Sequence, residues 1–579
     1  MNNIVSICSI FNKKRVRGTL LFPIYIISVI STYGQDLEKL LKKDKFKISG
    51  GINANQAFYM QRGGQDRRTP YNYFLSGRLA ISYGQLSIPL SFSYSNQKVS
   101  YAQPFNILGF SPKYKWITTH VGFRSMTFSP YTLNGHTFLG GGIEVEPIKG
   151  WKSAVMYGRL MKAVAPNGNN RPAYERYGYG FKTEYTVAGG SIGFSLFSAK
   201  DNPLSIKDTN NPLLKPQESL SLGLSFSKKM KHWNFKFEGA RTAYTRNINS
   251  AINSDSKNIV NAAFWTPRYT STGYFNAFKV GVNYQFRGFT LGANFERIDP
   301  GYKTLGAFFF NEDLQSISGQ FATAFFKNKL SLSASLGKQR NNLDKTKTST
   351  MDRWVSAIQL SFVPTPKWNA SLSFSSFQSF TNVRPPNTPL NSTIVQPSDT
   401  LSFLSVSRSG QGNISYIIKN NESANTNIMF SGSIQSAAQL SQMNNNYNPT
   451  FYNGFLSYNH GLPKQKMQSG LGLNANFSGE RENQSIFIGP NLNASKSLFN
   501  EIWRLQANTS WSAVWLAGNR VSSIINLTWG NTFQIVKKHN LSCNFTYLNM
   551  KNPTSNQVDK SLIRAIDELN ISLGYGYVF

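Results

Sequence analysis

Long segments of this 579-residue chain alternate strictly between apolar and small polar residues. Clear examples are Leu86 to Tyr94, Leu220 to Phe226, Leu330 to Leu336 and Trp368 to Phe374. Because successive side chains of a β-strand point to opposite faces, each series predicts a strand with one apolar face. The other face carries mostly Ser, Gly and Asn, as in a barrel whose apolar face meets lipid and whose polar face lines a lumen. The chain is therefore predicted to be all-β, folded as a transmembrane antiparallel β-barrel.

Short polar connectors separate these segments and predict the topology. They lie at Gly84 and Gln85, Ser111 to Lys115, Pro147 to Gly150, Ala188 and Gly189, Lys228 to Lys231, Arg287 and Gly288, Lys327 to Lys329, Pro364 to Lys367, Lys419 to Ser423, Leu462 to Lys466, Phe499 to Ile502, and Val536 to His539. Between them lie pairs of segments joined by generally longer loops, such as 201–216, 246–273 and 380–401. This pattern predicts about 26 strands (roughly 24 to 28), with short periplasmic turns and long extracellular loops.

The amino terminus predicts export. Four basic residues, Lys13, Lys14, Arg15 and Arg17, precede an apolar run from Leu20 to Ile30, and small residues follow it. The run is too short to span a membrane as a helix, which takes about 20 residues, but it fits a secretory signal. We expect residues 1–34 to be a signal peptide, 35–45 a periplasmic segment and 46–579 the barrel.

The charge is strongly basic, with 61 Lys and Arg against 27 Asp and Glu, a formal net charge of +34. Such an excess raises nucleic acid as a partner, but the predicted export makes that partner improbable. Only Cys8 and Cys543 are present, and Cys8 belongs to the predicted signal, so no disulfide is expected.

Some of the basic residues fall on the predicted lumen face, where charge avoids the cost of contact with lipid. They are Arg78, Arg124, Lys182, Lys236, Lys279 and Arg353, beside the acids Glu184, Glu238 and Glu296. One interpretation is a cation-lined lumen that attracts anionic solutes or an acidic partner. The other is that most of the charge lies in turns and loops that face lipid phosphates. Because many lysines fall in the predicted turns, the second interpretation better explains most of the net positive charge.

Tryptophans recur just after the proposed short turns. Those concerned are Trp116, Trp151, Trp233, Trp368 and Trp503. Core packing explains any single tryptophan but not this recurrence. Half of the ten tryptophans therefore fall where the periplasmic aromatic girdle of a barrel is expected.

The last segment alternates to the end, with Leu569, Ile571, Leu573, Tyr575, Tyr577 and Phe579 on one face. It resembles the terminal strand of Gram-negative outer-membrane β-barrel proteins. The resemblance covers architecture and contains no subfamily motif. It implies integral outer-membrane location, contact with outer-membrane lipid, and recognition of Tyr575, Tyr577 and Phe579 by the barrel-assembly machinery.

Residues for chemistry are sparse. The chain has no Gly-rich phosphate loop, no His-Glu-x-x-His motif and no paired-cysteine motif, and its five histidines are scattered. We expect no enzyme, no catalytic residues, no metal and no cofactor. The charged segment from Glu296 to Tyr302, followed by Asn311, Glu312 and Asp313, contains an Asp-Pro-Gly turn signal and predicts a rigid extracellular turn more than a cation site.

The predicted size gives the functional expectation. Barrels of 16 to 18 strands already hold an aqueous channel and those of 22 carry a plug, so a barrel of about 26 strands needs something in its lumen. The chain is expected to be a subunit of a plugged translocon, transport or secretion complex, occluded by its own loops or by a plug, periplasmic or surface partner. The alternative is a passive, anion-preferring porin.

The terminal strand yields a test of biogenesis. Replacing Phe579 by Ala, or deleting the last strand, removes the expected assembly signal. We expect lower levels in the outer membrane and periplasmic degradation products, both measured by immunoblotting of cell fractions. Normal insertion of a chain that ends at Glu568 would refute this role.

Overall fold

The computed structural model describes residues 46–63, 68–96, 106–166, 172–206, 214–252, 269–307, 312–347, 352–379, 405–439, 450–479, 484–536, 538–551 and 565–579. The predicted signal peptide (1–34), the predicted segment 35–45 and the loop 380–401 lie outside these residues. Loops 201–216 and 246–273 are described in part.

The described residues form 27 strand segments. The first thirteen are β1 (Lys47–Arg62), β2 (Tyr71–Tyr83), β3 (Leu86–Ser95), β4 (Ile107–Phe110), β5 (Lys113–Tyr114), β6 (Ile117–Thr127), β7 (Asn134–Ile148), β8 (Trp151–Met161), β9 (Glu175–Val187), β10 (Gly190–Asn202), β11 (Glu218–Met230), β12 (Trp233–Thr245) and β13 (Thr272–Phe286). The others are β14 (Phe289–Ile298), β15 (Leu314–Phe325), β16 (Leu330–Arg340), β17 (Asp352–Phe362), β18 (Trp368–Ser379), β19 (Ser405–Asn420), β20 (Asn425–Gln439), β21 (Thr450–Leu462), β22 (Met467–Gly479), β23 (Ser485–Leu498), β24 (Trp503–Leu516), β25 (Asn519–Val536), β26 (His539–Lys551) and β27 (Ala565–Val578). Two short 3-10 turns, Pro203–Ser205 and Pro463–Gln465, interrupt connections. Within the described residues no helix is long and apolar enough to cross a membrane.

Apart from β4 and β5, each strand pairs antiparallel with its neighbour in the chain, and β27 pairs with β1 to close the sheet. The closing seam contains twelve residue pairs, from Gly51 opposite Val578 to Arg62 opposite Asp567. Both β4 and β5 lie between β3 and β6, so together they occupy one strand position of the barrel. We call each strand position of the barrel a stave, and this one is interrupted. The barrel therefore has 26 staves, which confirms the predicted fold class and strand count.

Short turns join alternate pairs of strands at one end of the barrel, as predicted. In six of the predicted connectors the strands extend further than the sequence indicates, so the turns are shorter; these connectors are 111–115, 147–150, 228–231, 419–423, 462–466 and 536–539. Lys228 and Lys229 remain paired in β11, opposite Phe235 and Asn234, and the turn is Lys231 with His232. A lysine can remain in the paired part of a strand near its end, because its long side chain reaches water from that position.

In the connector Ser111 to Lys115, residues 113 and 114 pair as β5. The opposite end of the barrel also differs from expectation at one point. There the β24–β25 connection is a two-residue turn, Ala517 and Gly518, instead of a long loop. Both residues have positive φ (48° and 82°), the geometry of the tight hairpin turns that match strand twist.

The two faces of the sheet differ in exposure. Ile192 in β10 is 61% exposed and Leu224 in β11 is 59% exposed, and large apolar residues are exposed in this way on strands around the barrel. Alternate residues face inward, and Phe197 in β10 is fully buried there. An apolar surface this extensive is stable in hydrocarbon and not in water, so the outer face is the lipid face of a membrane-spanning barrel.

Two connections fold inward and pack on one arc of the inner wall. We call Phe128–Leu133 and residues 299–306 together the inner lobe. The Tyr302 hydroxyl donates to the carbonyl of Tyr131 (2.6 Å), and the Thr304 hydroxyl donates to the carbonyl of Thr132 (2.7 Å). The lobe is tied to the wall as well, since the amide of Leu305 donates to Ser219 Oγ in β11 (3.1 Å).

The lobe and the wall share an apolar core. Its fully buried members include Leu133, Phe138, Phe197 and Leu305. Gly306 allows the close approach, because a Cβ there would lie 2.5 Å from the Phe197 ring and 2.6 Å from the Thr132 carbonyl oxygen. The predicted Asp-Pro-Gly turn forms, since the amide of Tyr302 donates to the carbonyl of Asp299 (3.1 Å), but it does not project outward: residues 296–298 end β14, and 299–306 turn inward to bury apolar side chains.

Truncating the lobe tests this packing. Leu305→Ala should cost about 2 to 5 kcal/mol locally, because it removes a fully buried side chain and leaves a cavity. We expect faster cleavage in 299–307 by a protease added to the folded barrel, with the heat-modifiable gel shift retained. Leu204→Ala is the matched control, since Leu204 is 88% exposed. Equal cleavage of both variants would contradict the packing role.

Candidate functional site

The six predicted lumen cations lie on inward positions of their strands, and the structure distributes them over the wall instead of gathering them. Arg78 in β2 and Arg124 in β6 line the same cavity, of about 510 Å³, with Ser49 and Ser91. Lys236 and Lys279 line a second cavity. The Lys182 Nζ is 3.4 Å from the Glu184 carboxylate, and Arg353 donates from Nη2 to Gln339 Oε1 (2.7 Å).

Arg124 bridges the interrupted stave. Its Nη1 donates to Ser91 Oγ in β3 (3.0 Å), and its Nη2 donates to the carbonyl oxygens of Pro89 in β3 (3.2 Å) and Gly109 in β4. Proline gives β3 one N–H fewer for the ladder, and β4 and β5 offer few pairs of their own. The guanidinium therefore joins three staves where the backbone ladder is thinnest.

The second cavity, which we call the wall pocket, has a volume of about 530 Å³ and lies beneath Pro130 and Tyr131 of the inner lobe. Three rows of inward residues on β12 to β15 form its wall. The rows are Glu238, Lys279, Glu296 and Ser316; then Lys236, Gly281, Asn294 and Ser318; then Asn234, Asn283, Gly292 and Gln320. Of these, only Asn234 and Gly292 do not line the cavity. Lys279 therefore lies opposite Glu238 and Glu296 in the register, and Lys236 lies in the next row of the same cavity.

Tyr131 fixes one of these carboxylates. Its hydroxyl donates to Glu296 Oε1 (2.7 Å), and the rings of Tyr131 and Tyr302 meet edge to face at 6.5 Å. Burial raises the pKa of Tyr131 above its ordinary value, and the charge of Glu296 raises it further. The hydroxyl thus remains a donor, and the lobe orients a carboxylate of the pocket.

Two glycines shape the lower rows. A Cβ on Gly281 would lie 2.7 Å from Asn294 Oδ1, and one on Gly292 would lie 2.3 Å from Asn283 Oδ1 and 2.4 Å from Gln320 Nε2. The amides therefore lie across the glycines, and Gln320 donates to Asn283 Oδ1 at 2.5 Å. The alternation of the sequence predicts that these amide side chains face inward. It does not predict that they lie side by side, because that depends on the pairing register of β13, β14 and β15.

On the next arc of the wall, one inward row lacks charged side chains. A row of hydroxyl and amide side chains crosses five neighbouring strands, β16 to β20, and we call it the neutral belt. Its members are Ser333, Gln359, Ser373, Gln411 and Ser433, each opposite the next. The belt lines a cavity of about 750 Å³, and Gln320 borders both this cavity and the wall pocket.

A buried carboxylate just before β15 holds the connection between β16 and β17. Asp313, which is 1% exposed, accepts from the amides of Asn342 and Leu343 (2.8 Å each) and from Lys347 Nζ. Burial alone would raise the pKa of Asp313, but these donors lower it below its usual value. Asp313 therefore acts as an ionised anchor. Within the described residues no three His, Cys, Asp or Glu side chains assemble as a metal site.

The predicted girdle residues lie at the short-turn end. Trp151, Trp233, Trp368 and Trp503 each begin a strand, and Trp116 lies in the β5–β6 turn. Two of them contact side chains of neighbouring strands: the Trp368 ring packs against Tyr416 (4.6 Å between ring centroids), and Trp151 Nε1 donates to Thr183 Oγ1 (2.9 Å). Their contact with lipid headgroups stays a prediction.

The predicted assembly signal lies at the closing seam. The hydroxyl of Tyr575 hydrogen-bonds to His539 Nδ1 (2.8 Å), and the rings of Tyr577 and Phe579 meet edge to face at 4.6 Å. The amide of Phe579 donates to the carbonyl of Gly50 (3.0 Å). Recognition of these residues by assembly machinery stays a prediction.

No family model and no curated protein matches this chain. Among solved structures, the P pilus usher (PapC) translocation pore is similar at 10% identity and a TM-score of 0.37, over 92% of this chain and 99% of that one. The copper transporter OprC is similar at 8% identity and 0.35, over 93% and 84%. An anion-selective porin from Comamonas acidovorans is similar at 10% identity and 0.28, over 93% and 100%. The chain has an outer-membrane type of barrel fold, and identities and TM-scores this low carry nothing about its function.

The Arg124 bridge can be tested. Arg124→Ala removes the guanidinium bonds to Ser91, Pro89 and Gly109; the Pro89 carbonyl keeps the amide of Ser111 (2.8 Å), so we expect a total cost of about 1.5 to 3 kcal/mol, that of a hydrogen bond to a charged group. We expect the folded form to convert to the unfolded gel position at a lower temperature than wild type. Arg78→Ala, in the same cavity, is the control and should change the transition less. Equal transitions in wild type and Arg124→Ala would show that the bridge does not support the seam.

Proposed function

We propose that this chain is the membrane-spanning subunit of an outer-membrane transport or secretion complex, whose lumen is filled in part by its own inner lobe and completed by a partner protein. After signal-peptide cleavage it would be inserted by the barrel-assembly machinery and surrounded by outer-membrane lipid. In this proposal it acts by passage of cargo, without catalysis and without nucleic acid.

Width is the observation that carries the proposal. Strands about 4.8 Å apart and tilted by roughly 40° give a closed 26-stave barrel on the order of 50 Å across. The inner lobe lies against the arc that contains β7, β10, β11, β12 and β14, whereas the neutral belt faces a cavity on the adjacent arc, β16 to β20. The described lobe thus covers one part of the wall. An uncovered opening of that width would defeat the permeability barrier, which supports a further stopper.

The partner can be identified directly. The full-length chain should be purified gently from its own host, its co-purifying proteins identified and their ratio measured. We expect a stoichiometric partner and little conductance in planar bilayers until that partner is dissociated. A steady, small, anion-selective conductance from the partner-free chain would overturn the proposal.

The alternative is a passive porin, which the inner lobe favours because it is built from the chain's own loops. In that case charge reversal at Arg78, Lys182 or Lys279 should shift ion selectivity toward cations. Lys367→Glu, in a short turn, is the matched control and should leave selectivity unchanged. Arg124 is unsuited to this test, since its replacement also removes contacts between staves.

A further inference from the structure

We propose that the cargo is an uncharged, hydroxyl-rich carbohydrate chain, which the wall pocket binds and the neutral belt guides. The inference rests on the proposed transport function and names its substrate class. Two separate features of the inner wall carry it: the balance of charge in the pocket and the lack of charge along the belt.

The pocket selects against ions of either sign. Lys236 and Lys279 would repel a cation, and Glu238 and Glu296 would repel an anion, so neither gains from entering. A ligand with many hydroxyl groups can use both kinds of side chain, because each hydroxyl donates to carboxylates and accepts from ammonium groups. Hydrogen bonds to charged groups are also the stronger ones.

The lower rows of the pocket add planar amides. Asn283, Asn294 and Gln320 lie across the glycine positions and present both donors and acceptors toward the cavity. A short zwitterion needs one positive and one negative partner and leaves these amides unused. A sugar ring carries hydroxyl groups on several carbons, and a volume of about 530 Å³ extends over all three rows.

The belt continues the same chemistry beyond the pocket. Gln320 borders both cavities, so a chain bound at the pocket can extend along Ser333, Gln359, Ser373 and Gln411 without meeting a charged side chain of that row. Two of these hydroxyl groups already have partners: Ser373 Oγ donates to the backbone carbonyl of Gln411 (3.5 Å), and Ser433 Oγ accepts from Asn453 (3.1 Å). Contacts with cargo are then individually weak, which suits passage more than retention.

The experiment measures binding to the full-length barrel, folded in a detergent without a sugar headgroup, by isothermal titration. The neutral probes are pentamers of glucose, mannose, galactose and N-acetylglucosamine. The charged comparators are pentagalacturonate and deacetylated chitopentaose, and a Gly-Ser decapeptide and glycylglycine represent peptide and zwitterion. We expect at least one neutral pentamer to bind, at least tenfold tighter than every comparator.

Variants locate the binding. Glu296→Gln should weaken it about tenfold or more, since it removes a charged acceptor, and Asn294→Ala about three- to tenfold. Asn544→Ala, an amide on the inner face of β26, is the matched control and should bind as wild type does. Each variant is scored only if it keeps the heat-modifiable gel shift of the folded barrel.

The inference fails if no neutral pentamer binds, if a charged, peptide or zwitterionic probe binds as tightly, or if Glu296→Gln and Asn294→Ala bind as wild type does. That failure is separate from failure of the proposed function. A barrel with a stoichiometric partner but no carbohydrate binding would retain the transport proposal and remove only its substrate class.

Discussion

Closure of the backbone hydrogen-bond ladder is the constraint on which the rest of this structure depends. In hydrocarbon an unpaired N–H or C=O costs several kcal/mol, so a spanning sheet cannot have open edges. The twelve pairs between β1 and β27 remove the last two edges. Closure also fixes the alternation of faces around the ring, and it explains why Arg124 supplies side-chain donors where the β4–β5 stave is broken.

Once the ring is closed, its interior presents a different physical problem. The outer face is satisfied by lipid, but the inner wall is too wide for side chains alone to fill. Part of this space is filled by apolar packing on one arc, where Phe138 and Phe197 of the wall form a buried cluster with Leu305 of the lobe. Small residues make that packing possible, since a Cβ on Gly178 or Gly306 would collide with neighbouring core side chains.

The sequence was sufficient for the barrel because alternation and turn chemistry are local: the period of Leu86 to Tyr94 and the turn at Ala188 and Gly189 need no knowledge of distant residues. The lobe could not be predicted in this way. Tyr131 and Tyr302 are 171 positions apart, and the Asp-Pro-Gly signal indicates that the chain turns but not toward which side. The wall pocket was missed for a related reason, since Asn283, Asn294 and Gln320 meet only through the register of three strands.

The electrostatic potential in the lumen depends on how charged side chains are arranged beside one another more than on the net charge of the chain. A net charge of +34 suggests attraction of anions, yet Glu238 and Glu296 stand opposite Lys279 in adjacent strands, and Lys182 lies beside Glu184. Neighbouring opposite charges offset each other at a distance, and salt screens the remaining field beyond about one Debye length, roughly 8 to 10 Å in physiological salt. A solute near the axis of a lumen on the order of 50 Å across is farther from the wall than that. Selection in such a barrel must therefore act through contact at the wall, where hydrogen-bonding geometry counts for more than the sign of the total charge.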